Sequence, residues 1–307
     1  LSVLSPTESP ETAERELQVG RSIPRVGGYE RVTGEQQYLA DLPFDDVLHC
    51  KLVTIPCGRG RIISIDTSAA REVPGVALVM TADDLPQPVP RYGPQFKDRP
   101  VLAVGETKFH GEPVAAVAAD TKDAAEEAAG LVKVEYEELP GVYTVAEALA
   151  PGAPLVREPE LRPADDELKD SNVLVHRVFE WGDVEDVEAD LVIDETYSFP
   201  MITHFAIEPH AFAAAPDDDG ISVWSTIQHP YLLQKLMAQL LDLPLAKVRV
   251  FAPDPGGAFG GKQNIKLEPL VAFMALETGR PVRLVLTLDE SFQASRRVSA
   301  EIRVRSG

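Results

Sequence analysis

Apolar residues fall into two patterned stretches, 30-150 and 173-307, separated by one that has no period. Ahead of the first, residues 1-29 are dense in Ser, Thr, Pro and Glu, which predicts an irregular arm. Within 47-55 the apolar positions Val47, Leu48, Cys50, Leu52, Val53 and Ile55 predict a strand, and 61-66 and 76-80 predict two more. Asp66-Thr67-Ser68 can cap a small helix before Pro74-Gly75 turns the chain, and Thr81 to Asp84 has capping-box spacing. Val114-Ala119 is a short apolar strand, 122-129 is an Ala/Glu helix, and 131-136 alternates with a strand period. Strand, helix and strand joined this closely predict a small mixed α/β domain over 30-150.

Residues 151-172 carry several prolines and many charges, and we read them as a linker. Beyond it, strands are expected at 173-180, 191-199, 207-215 and 221-227, the last two joined by the acidic turn 216-220. Pro230 suits a first helical turn, and Leu232, Leu233, Leu236, Met237 and Leu240 then form one apolar stripe. A strand at 247-252, a helix from Glu268 to Thr278 stopped by Gly279, and strands at 282-288 and from Ala300 complete the pattern. The helix carries Leu267, Leu270, Val271, Met274 and Ala275 on one side.

The 307 residues can bury substantial cores, and 44% hydrophobic with 25% charged residues is a globular composition. With 29 basic against 49 acidic residues, a formal charge of -20, the surface repels nucleic acid, so none is expected as a partner. No run of 18 apolar residues and no basic leader are present, so we expect no membrane span and a cytoplasmic location. Cys50 and Cys57 are too few for a disulfide scaffold or for an iron-sulfur cluster. His49, Cys50 and Cys57 lack the fourth ligand and the spacing of a zinc site, so no metal ligand is assigned.

The densest chemical signal is Asp254-Pro255-Gly256-Gly257-Ala258-Phe259-Gly260-Gly261-Lys262. Its glycines permit close approach of a ligand and can expose successive N-H groups, although a tight strand-to-helix connection would read the same way. The spacing is not that of a dinucleotide fingerprint. It matches a phosphate loop at Gly256, Gly261 and Lys262 but fails at Gln263, which has no hydroxyl for a metal. His204, His210 and His229 have no ligand spacing and read as packing or surface residues. Glu208, beside Pro209 in an apolar stretch, must be hydrogen-bonded, as a structural anchor or as part of a site. Gln228 stands between a strand and a proline-initiated helix, where an amide offers both a donor and an acceptor.

These segments together resemble a known family. GEQQYLADL from Gly34, IISIDTSAAREVPGVALVMTADDLP (62-86), HGEPVAAVAADTKDAAEEAAGLVKVEYEELP (110-140) and WGDVEDVEAD (181-190) are similar to the molybdopterin-binding large subunits of the xanthine dehydrogenase, aldehyde oxidase and carbon monoxide dehydrogenase group. HFAIEPHAFAAAP (204-216), VWSTIQHP (223-230), PDPGGAFGGKQ (253-263) and ETGRPVRLVLTLDESF (277-292) continue the resemblance in family order. It implies an α+β fold, a hammerhead-like α/β domain at 30-150 followed by the first part of a molybdopterin-binding α+β domain at 173-307.

The resemblance also implies a molybdenum-pyranopterin cofactor, as molybdopterin or its cytosine dinucleotide form. Gln228 would lie beside the metal, Phe259 would flank substrate and the Gly260 backbone would face the metal's oxygen ligand, with Gly256, Gly257, Ala258 and Gly261 completing the cradle. Oxidative hydroxylation of an aldehyde or N-heterocycle, with water as oxygen source, is the implied reaction. The glutamate base and the remaining half of the subunit are expected outside this chain, and [2Fe-2S] and FAD are expected on partner chains. A carbon monoxide dehydrogenase-like subunit, or a noncatalytic assembly or cofactor-maturation protein, are the alternatives. Ala258 replaces a glycine common in the family, and Gln263 replaces the glutamate of purine-oxidising members, which points away from purines.

Overall fold

A computed structural model describes residues 20-94, 96-182, 188-294 and 298-307. Most of the arm expected at 1-29 lies outside these residues, as does part of the 181-190 motif. The chain divides into two units, Leu1–Gln37 and Tyr38–Gly307. The described part of the first is a single short helix, Gly28–Thr33, between Gly27 and Gly34, both left-handed.

The second unit is built on one mixed seven-stranded sheet. In spatial order its strands are Val248–Phe251, Gly220–Ser225, Ala211–Asp217, Val282–Val285, Leu48–Val53, Ala115–Ala119 and Val76–Thr81. Three strands thus come from before residue 150 and four from after 172, joined where Leu48–Val53 runs parallel to Val282–Val285. The acidic turn closes the antiparallel hairpin of Ala211–Asp217 with Gly220–Ser225, as its composition predicts. Side-chain alternation sends Leu48, Cys50, Leu52, Ala116 and Ala118 to one core and Val53, Ala115 and Val117 to the other. The first core receives the helices Pro230–Leu240 and Glu268–Thr278, while the second lies beneath Lys122–Leu131, whose Thr121 cap accepts from the Ala124 N-H at 3.1 Å.

The structure is an α+β fold, as expected, with three local corrections. Residues 173-180 form no strand: Leu174, Val175, Val178 and Phe179 are exposed and pair with no strand among the described residues. The strand expected at 207-215 is Ala211–Asp217, so Glu208 and Pro209 stay outside the ladder. The helix Glu268–Thr278 has the predicted bounds but is buried on nearly every side, because Pro269, Ala272 and Glu268 are buried along with its apolar stripe. Cys50 and Cys57 belong to different cores, and burial pushes the Cys50 thiol up to about 12. Residues 151-172 hold a 3-10 turn, Pro159–Leu161, and are tied down by buried Arg162, which bonds Asp166 and the Val173 carbonyl.

Candidate functional site

The site is assembled where the strand Gly220–Ser225 ends and the helix Pro230–Leu240 begins. Pro230 supplies the fixed φ of a first turn without leaving an N-H unpaired. The chain before it is fastened at Gln228, whose N-H donates to the Lys262 carbonyl at 2.8 Å and whose Oε1 accepts from the Gly260 N-H at 3.1 Å. Backbone and side chain of one residue therefore hold the far end of the glycine loop, 32 residues away in sequence. The loop and Gln228, expected to meet, do meet.

The loop is shaped by residues in the left-handed region: Gly257 at φ 108°, Phe259 at 49° and Gly260 at 87°. Phe259 is the one of these that carries a side chain, so its ring is held out at a conformational cost of about 1-2 kcal/mol, and it is 72% exposed. Gly256 donates to Glu208, Gly260 to Gln228, and Gly261 to the Ala258 carbonyl at 2.7 Å. The N-H groups of Gly257, Ala258 and Phe259 find no protein acceptor among the described residues. They are donors left over for a ligand or for water.

Glu208 resolves as the anchor of this loop. Its Oε2 accepts from the Gly256 N-H and from Lys262 Nζ, both at 2.7 Å, and its own N-H donates to the Gly256 carbonyl at 3.2 Å. The two ends of the loop are thereby clamped to one carboxylate, with side-chain exposures of 10% for Glu208 and 2% for Lys262. A Cβ at Gly256 would come within 2.6 Å of Glu208 Cβ, so only glycine fits there. Lys262, the lysine of the apparent phosphate-loop pattern, is spent on this ion pair.

A second support lies beneath. Lys266 Nζ donates to the Gly261 carbonyl at 2.6 Å, and burial pulls this amine down to about 8 although Glu268 favours its charge. Glu268 is itself committed to Ser225 Oγ at 2.8 Å and to the Lys266 N-H at 2.6 Å. His204 packs under Gly261, its ring 3.1 Å from where a Cβ would stand, and its buried Nδ1 has no hydrogen-bond partner among the described residues. His210 is pulled down to about 3, first by burial and then by Lys266, Lys262 and His204. His204 and His210 therefore share one neighbourhood, whereas His229 stands exposed before the helix Pro230–Leu240. Sequence reasoning had no signal for the roles of Lys262 and Lys266, since both depend on partners brought in by the fold.

The molybdopterin cofactor-binding domain matches residues 166–307, and the a/b hammerhead domain of aldehyde oxidase and xanthine dehydrogenase matches residues 33–140. The chain belongs to the xanthine dehydrogenase, aldehyde oxidase and carbon monoxide dehydrogenase family. It matches the N-terminal portion of that family's large subunit. It is 34% identical over 287 residues to a probable xanthine dehydrogenase subunit of Bacillus subtilis, covering 92% of this chain and 37% of that protein. To the nicotinate dehydrogenase large molybdopterin subunit of Eubacterium barkeri it is 32% identical, covering 90% of this chain and 63% of that one. Among solved structures, the aldehyde oxidoreductase of Desulfovibrio desulfuricans superposes with a TM-score of 0.81 at 26% identity, over 94% of this chain and 33% of that one. The chain thus spans between about a third and two thirds of these relatives' lengths. Gln228 and the glycine loop both lie in the cofactor-binding match, while the central sheet draws strands from both matched spans.

Proposed function

We propose that this chain forms part of the molybdenum-pyranopterin site of an oxidoreductase that hydroxylates an aldehyde or an N-heterocycle, with water as the oxygen source. The observation that carries the reading is the Gln228 to Gly260 hydrogen bond, which sets an amide beside three uncommitted backbone donors. The fit can be tested on the loop itself. The cavity beneath it, lined by His204, Glu208, His210 and Lys262, holds about 20 Å³, room for a water molecule but not for a pterin. A cofactor therefore suits the exposed side, where Phe259 and Gln228 stand and where Gly257 and Gly260 put no side chain in its way. Among the described residues no group of three His, Cys, Asp or Glu is placed to hold a metal, so molybdenum would be held through its pterin rather than by this chain.

When bound, the cofactor supplies the two-electron redox chemistry that side chains lack. Gln228 Oε1 is used within the protein, and its Nε2, which donates to no protein acceptor among the described residues, is left to orient an oxygen of the cofactor. The Phe259 ring offers a flat wall to an aromatic or aldehyde substrate. Gln263 is exposed and neutral, which suits N-heterocycles that need no carboxylate partner better than purines. Glu268 is committed through both oxygens, and Glu208, whose Oε1 has no hydrogen-bond partner among the described residues, is held in the interior by its ion pair to Lys262, away from the exposed side of the loop; we therefore assign the general base to a glutamate in the remaining half of the subunit. Electrons would pass to [2Fe-2S] and FAD on partner chains.

The test is to supply the remaining portion of the large subunit as a separate polypeptide, add cofactor, and measure bound molybdenum together with benzaldehyde and nicotinate oxidation by an artificial acceptor. Residues 1-307 alone should not turn over, the assembly should, and Gln228→Ala should lower its activity about 10- to 100-fold. Equal turnover by the isolated chain would refute the half-site reading, and an active assembly indifferent to Gln228→Ala would remove Gln228 from the site.

A further inference from the structure

The cavity beneath the glycine loop is lined by polar groups that the loop's own contacts leave unused. Glu208 gives Oε2 to Gly256 and Lys262, while its buried Oε1 has no hydrogen-bond partner among the described residues. The buried Nδ1 of His204 has none either. Ser291, in the helix Leu288–Ala294, accepts from the His210 N-H at 3.2 Å, and its own O-H finds no acceptor among the described residues. All three residues line one cavity of about 20 Å³. Between His204 and Glu208 the chain turns through Phe205, whose φ of 43° is a costly conformation for a residue with a side chain. The Phe205 ring rests on Phe292, centroids 5.7 Å apart, and both line the cavity, so its polar groups face one another between apolar walls. Such groups cost stability when left unpaired, and native folds rarely keep two in one cavity without something to join them.

We propose that this cavity binds one ordered water molecule, which bridges Glu208 Oε1 to His204 Nδ1 and makes His204 a positioning residue for the glycine loop. The volume exceeds the ~10-15 Å³ that one water needs and falls far short of an organic ligand. Three polar partners are the usual complement of a buried water. Their chemistry decides where each proton goes. Glu208, paired with Lys262, can only accept, and Ser291, already an acceptor, has a proton to give, so the water receives from Ser291 and donates once to Glu208. Its second proton needs an acceptor, and His204 Nδ1 is one when the imidazole carries its own proton on Nε2. That second nitrogen lies on the loop side, 3.6 Å from where a Cβ at Gly260 would stand. A metal ion is the poorer occupant, because Lys262 Nζ, 2.7 Å from the Glu208 carboxylate, repels a cation, and among the described residues no three His, Cys, Asp or Glu are placed to hold one. With the water bound, Oε2 of Glu208 is held by the loop and Oε1 from beneath it, so the carboxylate that clamps the loop is fixed through both oxygens.

The experiment uses residues 1-307 without added cofactor. A crystal structure that resolves ordered solvent should show one water between Glu208 Oε1 and His204 Nδ1, and nitrogen-15 NMR of histidine-labelled protein above neutral pH should show the His204 proton on Nε2. His204→Phe keeps a flat ring under Gly261 but removes the acceptor, whereas His204→Asn keeps an acceptor near the same place but removes the ring. The Gly256 amide, bonded to Glu208, should exchange about 3- to 10-fold faster in His204→Phe and stay within about twofold of wild type in His204→Asn. A role limited to ring packing predicts the reverse order. Circular dichroism identifies a variant that misfolds, and the wild-type water and tautomer then decide. An empty cavity, direct contact of Nδ1 with Oε1, a proton on Nδ1, zinc bound in the cavity after soaking, or exchange that follows the ring would overturn the proposal. None of these readouts involves molybdenum or turnover, so the water site and the cofactor reading stand or fall separately.

Discussion

Removing the carboxylate at Glu208 should release the glycine loop from both ends. The pair with Lys262 is almost wholly buried, at 10% and 2% side-chain exposure, so solvent screening does not discount it. Glu208→Ala deletes two charge-assisted hydrogen bonds at 2.7 Å and strands an ammonium group in the interior, a combination expected to cost about 3-5 kcal/mol. Glu208→Gln keeps an acceptor but loses the charge, and about 1-3 kcal/mol is expected. Replacing both partners, Glu208→Leu with Lys262→Met, should recover much of the loss, because the penalty in the single variant is chiefly the unpaired charge. Urea denaturation followed by circular dichroism gives the energies, with an unchanged m-value confirming comparable states. Hydrogen exchange of the Gly256 and Gly260 amides reports the loop directly. A Glu208→Ala loss below about 1 kcal/mol, with exchange at both amides unaltered, would refute the clamp.

Two further outcomes follow from the same region. Gly256→Ala should destabilise by about 1-3 kcal/mol through the contact its Cβ would make 2.6 Å from Glu208 Cβ, and more than Gly260→Ala, whose nearest neighbour is 3.6 Å away and whose cost is the left-handed φ alone, so the reverse order in urea melts would contradict the packing described. His210 protonates near 6.5 when unfolded but only at about 3 in the fold, so between those values the unfolded chain binds more protons and stability falls as pH falls. His210→Gln should flatten that part of the stability-pH curve, and an unchanged slope would place the titration elsewhere.

What the sequence determined by itself are the features with short-range causes. The helix Glu268–Thr278 has its predicted ends because Pro269 suits a first turn and Gly279 takes the left-handed stop at φ 65°. The Thr81 to Asp84 box forms because its donor and acceptor, 2.7 Å apart, are three residues apart in sequence. Family motifs were legible for a related reason: a glycine run and a Gln-His-Pro corner are local strings, and Gln228, Phe259 and the glycines could be singled out before their meeting was seen. The tertiary structure decided what depends on partners distant in sequence. Alternation at 173-180 resembles a strand, but a ladder needs a neighbour and none among the described residues pairs with it, whereas Ile193–Ile202 pairs with a segment some hundred residues later. Sequence periodicity could not show that Leu48–Val53 pairs with Val282–Val285, so the two patterned stretches share one sheet. Nor could it assign Glu208, whose neighbours in sequence are apolar and whose partners, Gly256 and Lys262, are 48 and 54 residues away. A buried carboxylate announces only that it must be paired. The fold chooses the partner, and with it the shape of the loop.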